Sequence, residues 1–495
     1  MRRRRRLKRS AFIVISMLMG VILWECLFCE QNALSQPVPQ PHSPPMATPI
    51  VRPLFTDLSD SEIQAQGFRR DSPVARPGEQ ARIALLNWSL VSAALLPNAP
   101  RICLPVPSFS DCREFFPLSP PKDVPLFNGP NGNIPRRTWS GRLNGDASSE
   151  AVFVIREGDQ AISGTVRYQG RIYDVSPVGR AVISIVEVNP GLYVPDKSPN
   201  RFGGSPSPNP VIPQAGRPIL PAPRPLQIQT GQKTQIDVMV VYTPTARAAL
   251  EAPCSPSCLI TDKIVGAIEQ AKTSLGMNSQ QEFRLVYVNQ VSYSHQNSVA
   301  EDLSFLQKKG DGFLEEVHQW RCAYKADLVS LWVEYAPPEP CGETPPGGGP
   351  MKWVGTGTWI YNYPDPENWA FSVVRQDCAV NFFTFHHELG HLMGADHDRE
   401  DVAKRMGGAL NGYGYGYINW ASHKATIMAR PPSAGWFENV WSNPSQPFSN
   451  GSSAGSSQDN NRRVLNETAA KVSTFSDRIC PDTTPPEAPS GLGVR

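Results

Sequence analysis

Two kinds of hydrophobic pattern divide this chain of 495 residues. From residue 235 onward, near-continuous apolar runs at 236–242 and 326–333 read as buried strands. Between them, Ile260, Ile264, Ile268 and Ala271 fall on one stripe of a helix over 259–277. A strand at 283–291, helices at 299–306 and 313–324, a strand at 369–374 and a helix at 381–393 complete the pattern, with a closing helix from 461 to 475. The order β-α-β-α-α-β-β-α implies a helix-flanked mixed sheet. Upstream, between 68 and 190, the runs are short and β-branched: 151–155, 161–168, 171–173 after a Gln169-Gly170 turn, and 181–186. They predict a small, mainly antiparallel β domain. The fold class expected is α+β, and no internal repeat is evident.

Proline sets the boundaries. The chain holds 50, about twice the usual ~5%, and two long stretches are rich in them. Residues 36–67 and 195–234 are Pro-rich and polar, which favours extended, solvated backbone. The second is the expected domain boundary and an accessible place for a protease to cut. At the N-terminus, Arg2 to Arg6, Lys8 and Arg9 precede an apolar run from Ala11 to Phe28, and Ala33-Leu34-Ser35 offers a small-x-small cleavage site. This reads as a secretory signal peptide over 1–35, with an uncleaved membrane anchor as the alternative. The domains expected are therefore 1–35 signal peptide, 36–67 flexible segment, 68–194 β-rich domain, 195–234 linker, 235–477 main globular domain and 478–495 tail. Export places the mature protein outside the cell, without a membrane attachment unless the N-terminal segment stays uncleaved.

Charge and cysteine refine the picture. Without residues 1–35 the chain carries 40 basic against 43 acidic residues, which excludes a broadly basic nucleic-acid-binding surface. The remaining eight Cys, in an exported chain, favour disulfides. Cys103 with Cys112 and Cys254 with Cys258 are spaced for local loops, and Cys341 with Cys378 is a candidate staple ahead of the His cluster. Cys322 and Cys480 are left without a firm assignment. A zinc-knuckle reading of Cys254 and Cys258 is weak, because no second ligand pair lies nearby.

The chemistry concentrates in His387-Glu388-Leu389-Gly390-His391-Leu392-Met393-Gly394-Ala395-Asp396-His397-Asp398. Residues i and i+4 share a helix face, so His387 and His391 can offer two imidazoles to one ion. Gly394 can take φ > 0 and turn the chain back, letting His397 supply a third nitrogen. Three neutral ligands with one open position is the catalytic zinc pattern, and one such ion is expected. Glu388 can reach a water on that ion.

HELGHLMGADHD resembles the zinc signature of metzincin endopeptidases, and Asp398 directly after the third His resembles the reprolysin (adamalysin) branch. Thr426-Ile427-Met428-Ala429 is similar to the Met-turn of that family. Asp237 to Pro244, Cys341-Gly342, Phe371 to Val374 and Tyr413 to Tyr417 resemble bacterial peptidyl-Asp-type metalloendopeptidases. The likeness covers about 235–477, with a weaker match to a family propeptide over 68–190. It implies a metzincin-like catalytic domain made as a latent precursor, a structural Met428, and Glu388 as the base that activates the zinc-bound water. It implies protein or peptide substrates and a monomer; structural calcium is left open. It also makes the 371–374 strand either the sheet edge that receives substrate or an ordinary covered strand.

The chain departs from the family pattern in places. His386 stands where a small residue is usual, with its ring expected off the shared face. Arg430 stands where some members have a Tyr. The loop 342–350 resembles an insertion near the cleft. Latency through a Cys103 or Cys112 thiolate on zinc competes with a disulfide between the two, which is preferred. The tail after Cys480 resembles the entry to a fibronectin type III module but is too short to fold. Two other functions remain open: a protease restricted to Asp-containing bonds, with Arg430 receiving the acidic side chain, and a non-catalytic surface-binding protein on the same scaffold.

Overall fold

A computed structural model describes residues 53–65, 79–95, 101–104, 113–143, 146–195, 233–276, 279–294, 298–335, 338–345, 351–354, 358–361, 365–406 and 412–480. All belong to one compact unit, 51–495. The signal peptide, almost all of the 195–234 linker, Cys112 and the tail after Cys480 lie outside the described residues.

The alternating runs of the N-terminal half form one antiparallel sheet. Its strands are β1 (Phe55–Asp57), β2 (Gln80–Leu86), β3 (Ile102–Leu104), β4 (Arg113–Pro117), β5 (Lys122–Asp123), β6 (Arg137–Leu143), β7 (Asp146–Arg156), β8 (Ala161–Tyr168), β9 (Arg171–Gly179) and β10 (Val182–Glu187). The order is β1-β2-β10-β9-β8-β7-β6-β4-β3, with β5 also on β6. Two short helices, α1 (Asp60–Ala65) and α2 (Trp88–Ala94), accompany it. The β8–β9 turn puts both Gln169 (φ 50°) and Gly170 (φ 76°) in the left-handed region, which a two-residue hairpin turn demands. One face of the sheet packs around Trp139, Phe153, Tyr173 and Ile183.

The second half is built on β11 (Thr234–Tyr242), β12 (Gln281–Gln290), β13 (Leu328–Val333), β14 (Gly342–Glu343) and β17 (Phe371–Arg375), in the order β12-β11-β13-β17-β14. A separate hairpin of β15 (Met351–Val354) and β16 (Thr358–Tyr361) lies between β14 and β17 in sequence. The first four strands of the sheet are parallel, while β14 runs antiparallel to β17. The apolar 236–242 run is an interior strand, covered on both faces, as a parallel strand must be. Helices α3 (Pro244–Glu251) and α4 (Ile260–Leu275) follow β11, and α5 (Val299–Gln307) and α6 (Glu315–Ala323) follow β12. After β17 come α7 (Gln376–Ala379) and α8 (Thr384–Leu392), then α9 (Arg399–Met406) and α10 (Asn461–Val472).

The pairing decides between the two readings of the 371–374 strand in favour of a covered strand. The 371–374 strand is not the edge of the sheet: Val373 and Val374 pair with Glu343 and Gly342. The edge is β14, inside what the sequence suggested was an inserted loop. A two-residue strand has no periodicity to read, and only its tertiary pairing reveals it.

Three disulfides join described cysteines: Cys254–Cys258, Cys322–Cys480 and Cys341–Cys378. The first removes the zinc-knuckle reading. Cys103 is also disulfide-bonded, so it offers no thiolate to a metal. Cys322–Cys480 spans 158 residues and ties α6 to the end of the chain. Closing so long a loop restricts the unfolded chain strongly. Replacing both Cys322 and Cys480 by Ser is expected to lower unfolding free energy by about 2–4 kcal/mol, read by urea unfolding; an unchanged midpoint would contradict this role.

Candidate metal centre

Helix α8 places His387 and His391 one turn apart. The chain then leaves the helix through Gly394, whose φ of 96° suits a residue without Cβ. The amide of Ala395 donates to the carbonyl of Gly390 at 2.9 Å and that of Gly394 to His391 at 2.9 Å, so the helix end is closed by its own carbonyls. The returning strand β18 (Asp396–Asp398) pairs in parallel with β19 (Tyr415–Gly416), and this pairing carries His397 under α8.

The three imidazoles converge. The Nε2 atoms of His391 and His397 lie 2.9 Å apart, and those of His387 and His397 lie 3.2 Å apart. All three side chains are buried. The opposite ring nitrogens settle the protonation pattern. His387 Nδ1 donates to the carbonyl of Ile427 at 2.7 Å, and His391 Nδ1 donates to the carbonyl of Ala395 at 2.9 Å. His397 Nδ1 faces the Asp401 carboxylate at 3.0 Å. Carbonyl and carboxylate oxygens only accept, so the protons sit on Nδ1 and each Nε2 keeps its lone pair. Three inward lone pairs at this separation repel one another unless a cation sits among them. The donor set, three neutral imidazole nitrogens, suits zinc.

Around the triad each residue has a mechanical reason. Asp398 does not ligate: its carboxylate accepts from the Asp401 amide at 3.1 Å, starting α9, and from the Arg430 amide at 3.0 Å. It fastens the strand of the third His to the chain leaving Met428. Met428 is fully buried. A Cβ at Gly390 would stand 2.6 Å from Met428 Sδ and 2.7 Å from the Trp441 ring, so only Gly lets the helix rest on the Met-turn. His386 points elsewhere, against Phe383 and Trp441. Burial, with help from the Arg167 charge, pushes its pKa down to about 3, and it remains neutral. Arg430 was a candidate receiver for an acidic substrate group; instead its Nη1 donates to Asp401 at 2.8 Å. Asp401 therefore bridges His397 and Arg430. The sequence reading missed it, and no helical spacing signals it, because His397 lies on β18 and Asp401 in the first turn of α9.

Glu388 is buried beside β14. A Cβ on Gly342 would lie 2.4 Å from Glu388 Oε1 and 2.7 Å from Thr384 Cγ2. The edge strand thus runs directly over the carboxylate, and a peptide added to that edge would pass it. Gly342→Ala is expected to displace Glu388 and lower activity at least about tenfold with metal content retained, a ΔΔG‡ of roughly 1.4 kcal/mol; wild-type turnover would refute the contact. Asp401→Asn should weaken metal retention about 10–100-fold in a chelator competition, and unaltered retention would show that Asp401 does not support His397.

The comparisons with known proteins follow this geometry. Residues 232–434 match the model of metallo-peptidase family M12. A peptidyl-Asp metalloendopeptidase of Xanthomonas campestris pv. campestris is 28% identical over 349 residues, covering 70% of this chain and 74% of that protein. One from Stenotrophomonas maltophilia is 26% identical over 353 residues, with 70% and 75% covered. A third, from Pseudomonas fragi, is 34% identical over 101 residues, 20% of this chain and 62% of that protein. Among solved structures, a chaperone–substrate complex aligns with a TM-score of 0.34 and 18% identity over 49% of this chain and 35% of that one, and no argument rests on it. Family match, relatives and converging imidazoles agree: residues 232–434 carry a metallo-peptidase domain of family M12, and the chain is a metalloendopeptidase.

Proposed function

We propose that the protein is a secreted, zinc-dependent endopeptidase that hydrolyses internal peptide bonds of proteins. The observation that carries the reading is the inward convergence of three Nε2 lone pairs beside a buried glutamate. His387, His391 and His397 would hold the ion. Bound there, zinc supplies Lewis-acid polarisation of the scissile carbonyl and of the attacking water. Glu388 takes a proton from that water and returns it to the leaving amine. Its burial beside β14 keeps competing solvent away and strengthens each charge interaction. Met428 packs beneath the helix and touches no reacting atom. Secretion rests on residues 1–35, and manufacture as a precursor on the Pro-rich stretch 195–234.

The names of the relatives favour a narrower second reading, cleavage at Asp-containing bonds. Arg430 does not support it, because its guanidinium engages Asp401.

Glu388→Ala is expected to keep fold and metal content and to abolish peptide cleavage, a loss of several powers of ten; retained cleavage would sink its role as base. A peptide library digested with the processed protein, with and without chelator, should show metal-dependent endoproteolysis. Enrichment of Asp beside the cut would select the narrower reading, whereas scattered cuts would discard it. Cutting the chain between 196 and 232 should raise activity, and full activity of the uncut chain would argue against a latent precursor.

A further inference from the structure

We propose that the N-terminal sheet is not released when the 196–232 stretch is cut, but remains docked as a permanent noncovalent half of the peptidase. The inference deepens the precursor reading and borrows from it only the natural cut.

The contact surface is centred on α4. One stripe of this helix packs on the parallel sheet through Ile260, Ile264, Ile268 and Ala271. A lone peptidase domain would leave the opposite stripe in water. Here that stripe is also buried: Thr261, Asp262, Val265, Gly266, Glu269 and Gln270 are all shielded. The cover is β6–β9. Val154 lies against Gly266, where even an added Cβ would be in ordinary contact at 3.7 Å. Phe127, Val154, Ile172 and Val188 from the N-terminal half belong to the same continuous apolar core as α4, α8 and Met428. Burial of this kind drives association.

Charges fix the register. Arg136 Nε and Arg156 Nε each donate to one oxygen of Asp262, at 2.7 and 2.8 Å, with side-chain exposures of 1%, 5% and 1%. Arg136 Nη2 donates to Thr261 Oγ1 at 2.8 Å. Glu150 Oε1 accepts from Asn439 Nδ2 at 2.7 Å and Thr273 Oγ1 at 3.1 Å, and Lys263 pairs with Asp174. Buried pairs of this sort add little net affinity, but a shifted or partial docking would strand them without water.

The surface also reaches the catalytic helix. Arg167 donates to the carbonyl of Asn381 and lies 3.7 Å over the ring of Phe383, the residue that begins α8 with φ 60°. Tyr193 meets Phe382 and Phe437 edge-on at 5.5 and 5.4 Å. The Val194 carbonyl accepts from the Cys341 amide at 2.8 Å, one residue before β14. A departing sheet would uncover the start of the helix that carries His387 and Glu388.

The test inserts a recognition sequence for a specific protease between residues 205 and 220 of the full chain. After cutting, the two pieces are expected to co-elute on gel filtration at the mass of the uncut chain and to unfold in one transition, parting only in denaturant. Pieces that separate in plain buffer would overturn the proposal, whether or not the C-terminal piece keeps its fold. Limited proteolysis of the unmodified chain gives an independent readout: both pieces should survive together on a native gel, and survival of one while the other is digested overturns it. Neither readout uses catalysis or zinc, so a failed peptidase assignment leaves the outcome interpretable.

Discussion

Three lone pairs held face to face are the constraint on which the site depends. Two imidazole nitrogens at 2.9 and 3.2 Å from that of His397, none of the three carrying a proton on the inner side, form an arrangement that a chain without a cation would relax. Holding it requires anchors on the far side of each ring. Two are backbone carbonyls, at Ile427 and Ala395, and one is the Asp401 carboxylate. Backbone anchors tie imidazole geometry to the path of the chain itself, so the loop carrying Met428 and the turn at Gly394 help to hold the cluster. The Asp401 anchor is the one side-chain anchor of the three, and it is braced by an ion pair to Arg430.

The glycines show the same economy. Gly390 lets α8 approach Met428 and Trp441, Gly394 reverses the chain, and Gly342 lets the edge strand approach Glu388. Each is placed where a side chain would separate two elements that must meet. Sequence spacing reveals Gly394, because the third His requires a turn. It does not reveal Gly342, because the element it meets lies 46 residues away along the chain, as Glu388.

What could be read from the sequence follows this distinction between local and long-range causes. The strands at 236–242 and 326–333, the helix at 260–275 and the three imidazoles announce themselves through periodicity and i, i+4 spacing. The alternating runs between 151 and 186 also form strands, in one antiparallel sheet. The sequence left open whether 371–374 is an exposed edge or a covered strand, because the two-residue strand that covers it carries no period. The sequence gives no sign of the partner of Arg430, because that partner, Asp401, is 29 positions upstream. Cys322 and Cys480 could be assigned only by elimination, since nothing local relates them. Arg136, Arg156 and Asp262 carry no local signal in the sequence, and their burial is a consequence of how two sheets enclose one helix.

That enclosure changes what the linker between the two halves means. A Pro-rich tether between folded regions ordinarily suggests parts that can come apart. Here the helix beside the tethered halves has no solvent face of its own, and the residue opening the helix of His387 and His391, Phe383, is covered by an arginine from the other half. A metalloendopeptidase whose active helix begins in left-handed backbone has reason to keep that cover: Phe383 at φ 60° is costly for a bulky residue and persists only where its surroundings over-determine it. Arg167 supplies two of those surroundings at once, a donor to the preceding turn and a cation over the ring. The N-terminal sheet is in this sense the outer wall of the metal centre, reached through one helix start, rather than a separate module that happens to precede it.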